Sequence, residues 1–211
     1  MTDHTLTITE DHHAALRRHL FPGDGLEAAA ILVCRRVGAE RERFIVRQTL
    51  KVPHKECVVR TPVSITWSGQ WVEEAIDLAE AAGDSIILTH SHPGGLLAFS
   101  SVDDQSDDKT IPSLFQGVDH KGAAHGSAIM TPDGAMCARI YTALGKARPL
   151  KRITRVGINI SDLANISKQN SLPFGVDMRR YFRGLTACVI GVSGTGSIVA
   201  EQLARMGVGH L

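Results

Sequence analysis

At 211 residues with 43% hydrophobic and 21% charged content, the chain can bury one good core with part of a second domain, and nothing in its composition requires disorder. Lys and Arg total 23 against 22 Asp and Glu, a formal charge of +1 that argues against a global bias toward nucleic acid or anionic membrane. Cys34, Cys57, Cys137 and Cys188 form no CxxC pair and no stretch approaches the roughly 20 apolar residues of a membrane span, so the expectation is a cytoplasmic protein without a disulfide scaffold or zinc ribbon.

Residues 5–9 alternate weakly as a strand, and EDHHAALRRHL, 10–20, reads as a helix stopped at the Pro22-Gly23 breaker. LEAAAILVCRRV, 26–37, is a core strand, and RFIVRQTLKV, 43–52, its hairpin partner. In SGQWVEEAIDLAEAAG, Ser68 is the expected N-cap. Trp71, Val72, Ala75, Ile76 and Ala79 share one helical face, opposite Glu73, Glu74, Asp77 and Glu80, and Gly83 stops the helix. SIILTHSH, 85–92, is an apolar strand turning polar at its end, where sites in α/β layers commonly form.

Beyond it, DKTIPSLFQGVDHKG reads as loop with one short helix, and HGSAIM and AMCARIYTA as a hairpin turning at Pro132 and Gly134. RITRVGINI, 152–160, supplies another strand. The acidic run 103–108 and the basic run 146–155 read as solvated surface. A domain boundary falls near 160, dividing a domain at 1–160 from a linker and lead-in at 161–185 and a strand, glycine turn and helix at 186–211.

His90 and His92 fall on one face of their strand, with Cα atoms about 6.6 Å apart, so two imidazoles can converge on one cation. Catalytic zinc takes three protein ligands and keeps one position open. An isolated His-x-His is as readily a pair of satisfied histidines; the Pro93-Gly94-Gly95 turn and the following Ser-x-x-Asp favour metal. Gly94 and Gly95 break the HxHxDH pattern of a metallo-β-lactamase, and a barrel amidohydrolase needs roughly 250 residues.

The segment resembles the JAMM (JAB/MPN) metalloprotease motif: His90-Ser91-His92-Pro93, six residues at 94–99, then Ser100-Ser101-Val102-Asp103. The resemblance covers roughly 1–145. It implies an α/β (α+β) fold, a JAMM/cytidine-deaminase-like mixed sheet flanked by helices, with Zn²⁺ held by His90, His92 and Asp103. It also implies Glu27, at the start of the first core strand, as the base that assists attack of zinc-bound water, with Glu56 the weaker rival. Ser100 would donate a hydrogen bond to the developing oxyanion, besides capping its helix. The implied activity is that of an isopeptidase or peptidase acting after the C-terminal tail of a ubiquitin-like protein, in precursor processing or deconjugation. Loops near 53–68 and 105–125 are the expected walls of the tail site. The alternative is a quiet binding module that keeps its site for structure.

VIGVSGTGSIVAEQLARMGVGHL, with SKQNSLPFGVDMRRYFRGL before it, resembles the opening of a ThiF-like adenylating domain, with Lys168-Gln169 in place of an Arg-Gln pair. This implies a Rossmann-like βα fragment in which Gly191, Gly194 and Gly196 approach ATP, with Mg²⁺, only in a longer fusion. The two resemblances together imply a bacterial protein whose partners are a ubiquitin-like protein, its conjugates and conjugation-pathway enzymes, and by analogy a role in antiphage defence. Neither nucleic acid nor membrane is an expected partner.

Overall fold

A computed structural model describes residues 4–38, 43–118, 122–142, 147–158, 160–165, 182 and 184–211. The chain divides into two compact units, Met1–Ala164 and Asn165–Leu211.

The first unit is built on a mixed sheet of nine strands, curled between helices. In chain order these are β1 (Thr5–Thr9), β2 (Ala29–Val37), β3 (Arg43–Lys51), β6 (Ser85–Ser91), β7 (Ala124–Met130), β8 (Met136–Thr142), β9 (Arg148–Pro149), β10 (Arg152–Val156) and β11 (Ser161–Asp162). Across the sheet they run β11-β10-β1-β3-β2-β6-β7-β8-β9. A separate hairpin pairs β4 (Cys57–Thr61) with β5 (Ser64–Trp67). Near the middle, β2 runs antiparallel to both β3 and β6, and β6 runs parallel to β7. Residues Ala29 to Cys34 are buried on both faces of the sheet, as their unbroken apolar run requires.

Helix α1 (Glu10–Leu20) follows β1 directly. Thr9 Oγ1 accepts the His12 N–H at 3.2 Å as N-cap, and Leu16 and Leu20 bury against the sheet with Leu6, Ile8 and Phe44 also fully buried. Helices α2 (Gln70–Ala82) and α3 (Ser101–Gly117) share a core made by Ile31, Val33, Ile86 and Leu88 from the sheet, Ala75 and Ala79 from α2, and Ile111, Leu114 and Val118 from α3 and its end. Each large apolar side chain so buried contributes about 1.5–3 kcal/mol.

Three elements of this unit depart from the sequence reading as follows. The N-cap of α2 is Gly69; Ser68 lies one residue earlier, its hydroxyl accepting the Gln70 N–H at 3.3 Å. The segment expected to be mostly loop continues α3 through Pro112 to Gly117, making a helix of 17 residues in all. The proline forfeits one helical hydrogen bond, but burial of Ile111, Leu114 and Val118 on either side of it outweighs that loss. Gly117 allows the close approach to α2, since a Cβ there would stand 2.6 Å from Ile76 Cγ2. Strand β10 stops at Val156, and Ile158 and Ile160 beyond it are exposed.

In the second unit, α4 (Thr195–Met206) forms as expected and ends on Gly207 at φ +83°. The strand expected before the glycine turn does not form among the described residues. Thr186 makes a single bridge to His210, while Ile190 and Val192 are 96% and 68% exposed, no strand among the described residues covering their side chains. The expected lead-in at 161–185, including Lys168-Gln169, lies mostly outside the described residues.

Candidate metal centre

Strand register brings the candidate residues together. Ala29 of β2 lies opposite His90 of β6, which in turn lies opposite Ile129 of β7. Ser91 turns to the other face and is buried. Its Oγ accepts the Ala28 N–H at 2.8 Å and its own N–H donates to Ala28 O at 3.0 Å, which fixes the chain next to Glu27. Past the strand end, the His92 N–H donates to Met130 O at 2.9 Å. The turn then closes with the Gly95 N–H on His92 O at 2.9 Å, Gly95 taking φ +82°. His92 Nδ1 lies 2.8 Å from Leu96 O. A carbonyl can only accept, so Nδ1 carries a proton, and Nε2 is the nitrogen left to ligate a metal.

Helix α3 brings the carboxylate. Ser100 and Asp103 form a reciprocal capping box: the Ser100 N–H donates to Asp103 Oδ2 at 2.6 Å, and the Asp103 N–H donates to Ser100 Oγ at 3.3 Å. Asp103 Oδ1 is 3.0 Å from His90 Nε2, Asp103 Oδ2 is 3.6 Å from His92 Nε2, and the two Nε2 atoms are 3.0 Å apart. Glu27 completes the cluster. It is 5% exposed, and one ligand atom each from Glu27, His90 and His92 lie within 4.8 Å of one another, a candidate metal-binding group.

The backbone of Glu27 is clamped by β4. Its N–H donates to Thr61 O at 2.8 Å, and its carbonyl accepts Arg60 Nε at 2.8 Å while Arg60 Nη1 pairs with Asp24 at 2.5 Å. Sequence reading missed this clamp, since Arg60 is one arginine among many until the hairpin is placed. Glu56, the rival base, is elsewhere occupied: the Trp71 indole N–H donates to its Oε2 at 2.9 Å.

The two carboxylates are tuned in opposite directions. Burial pushes the Glu27 carboxyl up, only partly offset by His90 and His92. Burial also pushes Asp103 up, but hydrogen bonds from His90, His92 and the Ser100 N–H outweigh it and hold that carboxyl well below the usual range. His92 is raised by its hydrogen bond to Asp103, against the opposing effect of burial.

Glu27, His90 and Asp103 line a groove of about 220 Å³. Ser64–Trp67 of β5 form one side, Val102, Ser106, Asp107 and Thr110 of α3 another, and Leu88 and Ser127 come from the sheet between them. The acidic run is therefore not wholly solvated surface: Asp107 is 6% exposed, and Asp103 faces the two imidazoles.

Gly191, Gly194 and Gly196 belong to the second unit. Gly191 and Gly194 take φ +87° and +51°, and a Cβ on Gly196 would fall 1.7 Å from Gly191 O, so the turn into α4 is built for glycine.

The family described as prokaryotic homologs of the JAB domain matches residues 9–141, well over half of the chain. No curated protein matches. A similar solved structure is that of protein DSY2949 from Desulfitobacterium hafniense, 14% identical, covering 72% of this chain and 92% of that one with a TM-score of 0.48. The matched residues span β6 and the start of α3, and with them both imidazoles and both carboxylates.

Proposed function

Since the chain belongs to the family of prokaryotic homologs of the JAB domain, we propose that its groove is the active site of a JAMM-type zinc peptidase or isopeptidase acting after the C-terminal tail of a ubiquitin-like protein. One observation carries the reading: two imidazole Nε2 atoms and the Asp103 carboxylate converge within 3.0–3.6 Å, with the buried Glu27 beside them.

The donor set suits zinc, being two imidazole nitrogens and a carboxylate, ligand types that catalytic zinc takes. His90, His92 and Asp103 would hold it, the Ser100 N–H on Asp103 Oδ2 favouring the ionised carboxylate whether or not the imidazoles are engaged by the metal. Bound zinc supplies Lewis-acid polarisation of the scissile carbonyl and lowers the pKa of water toward 7. Glu27 takes a proton from the attacking water and returns it to the leaving amine. Its raised affinity for a proton suits a group that must first accept one and then release it. Ser100, with its oxygen lone pair engaged by the Asp103 N–H, keeps its hydroxyl proton to donate to the carbonyl oxygen as charge develops there. The tail lies extended in the groove beside β5, where main-chain pairing along the strand aligns it.

Metal analysis of the purified protein tests the site directly. One zinc per chain is expected, lost in a His90→Ala/His92→Ala variant; equal zinc in both would sink the ligand assignment. For the second unit, the glycine turn into α4 supports one further proposal, a ThiF-like βα turn in which Gly191, Gly194 and Gly196 would approach ATP.

A further inference from the structure

The half of α3 that carries Asp103 has no buried apolar anchor. Between Ser101 and Thr110 the buried residue is Asp107, and the buried apolar residues Ile111 and Leu114 come only in the second half of the helix. A polar contact ties the first half to the sheet. Arg139 of β8, in register with Ser127 of β7, donates through Nε to Asp107 Oδ2 at 2.8 Å and to Ser127 Oγ at 3.1 Å. Its Nη2 lies 2.7 Å from the same Asp107 oxygen and its Nη1 pairs with Asp104. The Ser127 hydroxyl and the Tyr141 hydroxyl, the latter at 2.8 Å, also donate to Asp107, so this buried carboxylate is well compensated.

The guanidinium makes one more contact. It stacks over the Phe99 ring at 3.9 Å from the centroid. Phe99 immediately precedes Ser100, and Asp104 immediately follows Asp103. A single side chain thus grips the chain on both flanks of the four residues that carry the candidate oxyanion donor and the candidate carboxylate ligand. The approach to this segment is the Gly94-Gly95 turn with an exposed Leu96, which supplies little stiffness of its own.

Resting on the metal-centre reading above, we propose that Arg139 is a positioning residue which, through Asp107, Asp104 and Phe99, sets the placement of Asp103 and Ser100 in the metal centre. A ligand carboxylate has to be held within about 0.5 Å of its productive place, and loss of outer-shell support typically costs about 10–100-fold in metal affinity. Lysine cannot replace arginine here, because a single ammonium cannot pair with both acids and stack on the ring together.

The test is zinc affinity of the full 211-residue chain, measured by competition with a chromophoric chelator, for wild type, Arg139→Lys and Arg139→Met. Far-UV circular dichroism of each metal-free protein serves as the control for folding. Arg139→Lys, which retains a cation for Asp107, is expected to fold and to bind zinc about tenfold more weakly. The cobalt-loaded variant is expected to show an altered visible absorption band, because the carboxylate no longer meets the metal as before. Arg139→Met leaves Asp107 buried without its cation and is expected to lose more; if it fails to fold, Arg139→Lys alone decides. Wild-type zinc affinity together with a wild-type cobalt spectrum in folded Arg139→Lys would overturn the positioning role and leave the metal centre standing. No zinc uptake by the wild type would overturn both.

Discussion

Glu27 and Asp103 are carboxylates beside the same pair of imidazoles, yet one is driven toward its neutral form and the other toward its ionised form. The difference lies in hydrogen bonds: Asp103 receives the Ser100 N–H and lies against both rings, whereas burial dominates at Glu27. Glu27→Gln is therefore expected to cut hydrolysis by about 10²–10⁴-fold, the usual worth of a general base, with zinc content unchanged by metal analysis. In the metal-free protein His92 should titrate above its ordinary 6.5, and Asp103→Asn should bring it back down, as followed by NMR of the ring protons. A raised His92 contributes stability that is complete below 6.5 and lost as pH rises through its folded value; a lowered Asp103 contributes stability that is complete above 3.8 and lost as pH falls through its own. This pair accordingly stabilises the metal-free fold most between those two values, and thermal melts across pH should lose that window in Asp103→Asn. The His-x-His and Ser-x-x-Asp spacings were legible because strand alternation and a helix cap are local rules. Arg60 and Asp107 were not, since their meaning depends on contacts 33 and 32 residues away along the chain.

At the scale of elements, most strands and α1 follow from apolar alternation and turn residues. Helix α3 is the instructive failure: DKTIPSLFQGVDHKG reads as loop with one short helix, and only the packing of Ile111, Leu114 and Val118 against α2 and the sheet explains the helix's continuity through Pro112. Residues 53–68 were expected as a loop wall; they hold the two-stranded hairpin β4–β5, whose role becomes visible in the hold of Thr61 and Arg60 on Glu27. The β7–β8 pair sets a sharper constraint. A Cβ on Gly126 would fall 2.2 Å from Arg139 O and 2.7 Å from Ile140 Cδ1. Gly126→Ala should destabilise the fold by about 1–3 kcal/mol, the ordinary cost of overpacking, readable as a lowered urea midpoint at an unchanged slope.

At the scale of the whole molecule, strand order was beyond local pattern. The parallel insertion of β1 between β3 and β10 joins segments more than a hundred residues apart, and no periodicity encodes such a choice. The division into two compact units predicts that residues 1–164 fold alone and retain zinc, checked by circular dichroism and metal content of that fragment. Among the described residues no helix is long and apolar enough to cross a membrane. The central claim is metal-dependent hydrolysis with Glu27 as its base, and it is tested most directly by incubating the zinc-loaded chain with a ubiquitin-like protein fused through its tail to a reporter. Wild type should release the reporter, with release abolished by chelator and restored by added zinc, while Glu27→Gln stays inactive with zinc bound. Release that proceeds equally in chelator, or equally in Glu27→Gln, would contradict it.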